Sequence, residues 1–146
     1  MTCNRSSFTL SQATIERLAE PRRIADLSAI SERFVTSLRL IALHERAKRD
    51  PISELAARLG SVAVAAKALA LSQAICATWP EDIHLSRFCC PVLTHDEATI
   101  GDFVDRAVQY DQDGFEAAIE GLIRPGRVPL LWDAALGLVA AEARAA

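Results

Sequence analysis

Aromatic side chains are scarce, at 5% of the sequence, and Lys48 and Lys67 are its only lysines. Neither charge dominates: the formal net charge is −3, which argues against a polyanion binder, since that role needs a strong basic excess. Six Gly and six Pro are too few for a collagen-like or low-complexity chain, and a charged fraction of 24% is ordinary for globular proteins, so disorder is excluded too. Residues Met1 to Ser7 contain no apolar core of a secretory signal. The longest apolar stretch, from Val62 to Trp79, is broken by Lys67, Ser72 and Gln73 and owes much of its length to alanine. A bilayer span needs about 20 more strongly apolar residues, so this stretch is expected to be a buried core helix. The expectation is a soluble, cytoplasmic protein with no membrane partner. Its four cysteines, Cys3, Cys76, Cys89 and Cys90, are then expected as reduced thiols rather than a disulfide framework.

What is present is alanine, leucine and arginine. Alanine loses no side-chain entropy in a helix and lets helices approach closely. The excess of Arg over Lys reads as the coding bias of a GC-rich bacterial genome. Hydrophobic residues make up 51% of the chain, and they recur at helical spacing. Thr9 and Gln12 have capping-box spacing for a short helix to about Ala19. Ile24, Leu27, Ile30, Phe34, Leu38 and Ile41 form one stripe of a long helix over about 22–48, and its Arg residues lie mostly away from that stripe.

Asp50-Pro51 starts a short helix that Gly60 ends, and Ser61 caps a nearly all-apolar helix from Val62 to about Thr78. Glu81 to Pro91 lacks helical periodicity and reads as a loop or short extended segment. Thr94 and Glu97 then form a capping box ahead of Ile100, Phe103, Val104, Ala107 and Val108. Phe115, Ala118, Ile119 and Leu122 mark another helix, closed at Pro125-Gly126. Pro129 opens the last one, with Leu131, Ala135, Leu138 and Val139 inward and Glu142 and Arg144 outward. The predicted fold is therefore all-α, one bundle of six or seven helices around a central helix at 62–78. It forms a single domain over 1–146, with 1–20 as an N-terminal extension.

Charge is segregated along this chain. Residues 1–50 carry nine Lys/Arg against six Asp/Glu, whereas residues 101–146 carry four against eight. Such asymmetry pairs the first and last helices within one copy, or orients two copies head to tail; the intramolecular pairing is the simpler expectation.

Phe88-Cys89-Cys90-Pro91 is the most distinctive string. Two cysteines just before a capped helix N-terminus stand where backbone N–H groups and the helix dipole favour a thiolate. His95 follows Cys90 by five residues and His84 precedes Cys89 by five, so Cys89, Cys90 and His95 are candidate thiol-site residues. With His84 they make a Cys2His2 set of types suited to zinc. Adjacent cysteines, however, lack the C-x2–4-C spacing of zinc sites, and a free cysteine often packs simply as a small hydrophobe. No metal or cofactor is therefore assigned.

The same string, followed by Thr94 and Glu97 opening an apolar helix and preceded by the apolar helix Val62 to Cys76, resembles a family of small bacterial all-helical domains of unknown function. The likeness covers about residues 35–140. Where that family often has a third adjacent cysteine, this chain has Phe88. The resemblance implies a helical fold and no mechanism.

Ile52 to Gly60 also resembles the first helix and turn of a helix-turn-helix unit, and 52–73 is read as a degenerate one. The second helix of such a unit must reach bases and phosphates, yet Ser61 to Leu69 offers almost no donors. Asp102, Asp105, Asp111 and Asp113 do not have the spacing of a calcium loop and read as a solvated acidic face. No convincing catalytic set is identified, which leans against an enzyme and leaves that question open. The leading expectation is a non-enzymatic protein-interaction or regulatory module, with a protein partner or a second copy. A thiol-redox or metal-binding role at Cys89, Cys90 and His95 is the alternative, and DNA binding through 52–73 a second.

Overall fold

A computed structural model describes residues 20–146. The helix expected from Thr9 to Ala19, and Cys3, lie outside the described residues. Six α-helices follow one another: α1 (Ala29–Arg46), α2 (Ile52–Leu59), α3 (Val62–Thr78), α4 (His95–Val108), α5 (Gln112–Ile119) and α6 (Val128–Ala145). Single 3-10 turns precede α1 (Ile24–Asp26) and α6 (Pro125–Arg127). Among the described residues there is no strand, only one antiparallel bridge between Arg23 and Val92. The fold is all-α, as the apolar periodicity requires.

Local chemistry sets most boundaries. Ser28, Ser61 and Asp111 cap α1, α3 and α5 by accepting the N–H of Ser31, Val64 and Gly114. Each such cap contributes about 1 kcal/mol. The Asp50 carboxylate takes the N–H of Ile52 at 3.0 Å, and Gly60 leaves α2 in the left-handed region at φ 70°. Thr94 and Glu97 form the expected reciprocal box at the start of α4. Two boundaries differ from expectation. The long first helix begins only at Ala29, because Leu27 turns extended and buries itself with Val35 and Leu93. The fifth helix stops at Ile119 rather than near Pro125, since Gly121 adopts φ 78° just beyond it.

The core runs between α1, α3, α4 and α6. Phe34, Phe103 and Phe115 are fully buried. Phe115 stands edge-on to Phe103 at 5.2 Å and to Trp132 at 4.9 Å, contacts that add about 0.5–1.5 kcal/mol each beyond their buried area. Helix α3 packs against α6, α2 and α1. Its inward face is Val64, Ala65, Ala68, Leu71 and Ile75, while Val62, Ala63, Ala66 and Ala70 remain exposed. Gly137 lets α6 come close enough that a methyl group placed there would touch the Lys67 stem at 3.5 Å.

The segregated charges pair within the copy at two places. Arg22 donates to Asp102 at 2.8 and 2.9 Å, and Arg33 binds Glu142. Glu142 is consequently buried, not outward as its helical position suggested. Nor do the aspartates of α4 and the following turn make a purely solvated face. Asp102 holds Arg22, Asp105 accepts from Ser31, and Asp111 both caps α5 and pairs with Arg106. No helix among the described residues is long and apolar enough to cross a membrane.

Candidate functional site

The Cys-Cys-Pro segment lies in the loop between α3 and α4. Trp79-Pro80 ends α3, with Trp79 buried against the core. From there to Thr94 the backbone has no helix of its own, so its polar groups need partners elsewhere. One side chain serves four of them. Arg39, on α1, is 2% exposed. Its Nη1 donates to the carbonyls of Cys90 (2.6 Å), Arg87 (3.2 Å) and Phe88 (3.4 Å), and its Nη2 donates to that of Val92 (3.2 Å).

The opposite edge of the same guanidinium faces Glu97. Nε reaches Oε2 at 2.6 Å and Nη2 reaches Oε1 at 3.1 Å. Glu97 in turn accepts the N–H of Thr94 (2.9 Å) and Ser86 (3.3 Å). Burial pushes its carboxyl up, but the Arg39 contact and the two backbone donors outweigh this and hold it below the ordinary carboxylate value. The capping glutamate thus also clamps the loop. Sequence periodicity placed Arg39 among the surface arginines; it lies inside because a planar fork of five donors can satisfy several loop carbonyls and a carboxylate at once.

Smaller contacts complete the loop. Ser86 donates to the Val92 carbonyl at 2.9 Å, Thr94 to that of His84 at 2.6 Å, and the His84 N–H to Asp96 at 2.8 Å. The N–H of Cys90 closes a turn on Arg87, and Pro91 and Leu93 bond to Ile24 and Arg22. Arg58 of α2 stacks over Phe88 at 4.9 Å and also pairs with Glu54, which binds His44 Nε2 at 2.8 Å.

This fixed loop presents Cys89 exposed, Cys90 half-buried, and His84 and His95 exposed. The helix N-terminus expected to favour a thiolate is already occupied by Thr94 and Glu97. His84, Cys89, Cys90 and His95 are not brought together: among the described residues no group of three or more His, Cys, Asp or Glu could hold a metal ion. Cys76 opens instead onto a recess with Leu38, Glu45 and Asp82. Partial burial, and then the carboxylates of Glu45 and Asp82, push its thiol up.

Helices α2 and α3 do form two helices joined at Gly60 and Ser61. The exposed face of α3, with Val62, Ala63, Ala66 and Ala70, offers donors only from Lys67 and Gln73, too few for groove readout.

Among the described residues a concavity lies elsewhere, between α5 and the start of α6. It encloses about 710 Å³ and is open along one side. Leu122, Ile123, Val128 and Pro129 supply apolar lining. Asp113, Glu116 and Glu120, three, four and seven residues apart and hence on one face of the chain leaving α5, supply a rim that is acidic on balance, with Arg124 as the one cation in its lining. The chain leaves α5 in a turn in which Glu120 is extended and Gly121 takes φ 78°, closed by the N–H of Leu122 on the Ile119 carbonyl at 3.1 Å. Sequence reading missed the groove, although the i, i+3, i+7 spacing of those three acids and the glycine after them were visible. No protein-family model, curated protein or solved structure matches this chain.

Proposed function

We propose that this chain is a non-enzymatic protein-interaction module that docks an apolar, positively charged segment of a protein partner into the groove between α5 and α6. The observation that supports this reading is the pairing of an apolar floor with the acidic stripe of Asp113, Glu116 and Glu120 in an open concavity of about 710 Å³. Apolar floors with charged rims give affinity through burial, and partner choice through charge. An open groove suits side chains from a helix or extended peptide better than an enclosed small molecule.

A labelled Leu/Lys peptide about four helical turns long, with its leucines on one face, tests it by fluorescence anisotropy. Saturable binding that weakens about tenfold in Glu116→Lys/Glu120→Lys supports the groove. Absence of saturable binding, or equal binding by that variant, refutes it.

A second reading is favoured by one observation, the exposure of Cys89 beside Cys90 on an immobilised loop: a thiol site that exchanges with a disulfide partner. Incubation with oxidised glutathione and mass analysis test it. Mixed-disulfide formation confined to Cys89 supports the reading, and no adduct there removes it.

A further inference from the structure

The intramolecular ion pairs leave a remainder with a direction. Of the basic residues in the first third, Arg22, Arg33 and Arg39 are bound to Asp102, Glu142 and Glu97. Arg46, Lys48 and Arg49, where α1 ends, are exposed and have no ion-pair partner among the described residues. One turn before Arg46 stands Leu43, a large apolar side chain that is 44% exposed. Glu45 and Asp50 flank this cluster, Glu45 toward the Cys76 recess and Asp50 toward the N–H of Ile52, and leave it with a net charge of +1. The acidic stripe of the groove has the same unfinished character: Asp113, Glu116 and Glu120 are exposed and carry no ion pair among the described residues. An apolar anchor near the end of α1 and three cations at and just beyond that end thus stand apart from an apolar groove whose rim carries three anions and one cation, Arg124.

From this complementarity we infer that the groove's occupant is a second copy of this chain, with Leu43 seated in the groove and Arg46, Lys48 and Arg49 facing Asp113, Glu116 and Glu120. This deepens the docking reading and rests on it. The two surfaces are different patches, so the contact is heterologous: a pair of copies leaves one knob and one groove free between them, and further copies add to these until an open chain or a closed ring forms rather than a closed two-fold dimer. A single knob in a single groove buries less than a standard interface of about 1,600 Å², which places the contact in the weak, reversible class. Because its charged rim is exposed to solvent, screening by salt weakens it.

Sedimentation velocity on the full chain, from about 10 µM to about 1 mM, tests the inference. The weight-average sedimentation coefficient is expected to rise with concentration at about 50 mM salt and to flatten at about 500 mM. Glu116→Lys/Glu120→Lys and Arg46→Glu/Arg49→Glu should each weaken association about tenfold, with unchanged circular dichroism showing that both fold. Mixing the two variants should restore assembly, because the native knob of the first fits the native groove of the second, and the reversed pair is complementary again. A wild-type chain that is monomeric throughout overturns the inference, as does association that survives in both variants. If the chain is monomeric yet the Leu/Lys peptide still binds the groove, only the choice of a second copy fails; if neither associates, the docking reading fails with it.

Discussion

Replacing Glu97 by Gln removes one charge from the buried pair with Arg39 while keeping side-chain shape. The remaining carbonyl can still accept from Thr94, Ser86 and Arg39 Nη2 where Oε1 does now. The new amide N–H then meets Arg39 Nε–H, donor against donor, where Oε2 accepted at 2.6 Å. Arg39 is left as a buried cation with carbonyl partners only. Breaking one half of a buried pair costs about 3–5 kcal/mol, and the retained cap contacts place Glu97→Gln near about 3 kcal/mol. Arg39→Met removes one donor from each of four loop carbonyls and leaves Glu97 as a buried charge without its cation, so it should lie at the upper end, about 5 kcal/mol. The double variant should be less destabilised than the sum of the singles, by about 1–3 kcal/mol, because its second change removes a charge the first left unpaired. Urea unfolding followed by fluorescence of Trp79 and Trp132 gives the three values, and amide exchange at Ile24 and Leu93, bonded to Pro91 and Arg22, reports the loop directly. Additive single effects, each below about 1 kcal/mol, with unchanged exchange at those amides would refute the claim that this pair holds the loop.

Further outcomes follow from the same contacts. Folding holds the Glu97 carboxyl below its ordinary value, so on acidification the unfolded chain takes up that proton first. Its contribution to stability is full above about pH 4.3, is lost as pH falls from there through the folded value, and should be missing from the acid limb of urea titrations of Glu97→Gln. A methyl group at Gly101 would stand 2.6 Å from Leu27 Cδ2. Gly101→Ala should therefore lower stability by about 1–3 kcal/mol, and calorimetry should show part of that loss recovered when Leu27 is also shortened to Val. With Cys3 replaced by Ser, an uncharged maleimide should label Cys89 before Cys90, because the first is exposed and the second half-buried; peptide mapping with the reverse order would contradict the loop geometry.

The helices were legible because their signals are local. Ser61, Gly60, Pro129 and the Thr94/Glu97 box each act within four residues of where they stand, and the apolar periodicity of Ile100 to Ala107 depends only on helix geometry. Arg39 was not legible. Its partner Glu97 lies 58 residues away, and its other partners are main-chain carbonyls that any residue could present. Glu142 was misplaced for the same reason, since its burial depends on Arg33 of α1. The groove depends on the path of the chain through the turn at Gly121, and glycine announces a turn without its direction. The cysteine string was the most conspicuous feature of the sequence, yet the structure uses its backbone more than its sulfurs: the carbonyls of Phe88 and Cys90 bind Arg39.

The groove itself is the central claim, and amide chemical-shift mapping tests it most directly. Isotope-labelled protein titrated with the Leu/Lys peptide should show saturable shifts along α5 and from Gly121 to Leu130, with the amides of residues 84–95 unmoved. Shifts concentrated on the Cys89–Cys90 loop, or spread evenly over the surface, would contradict the account.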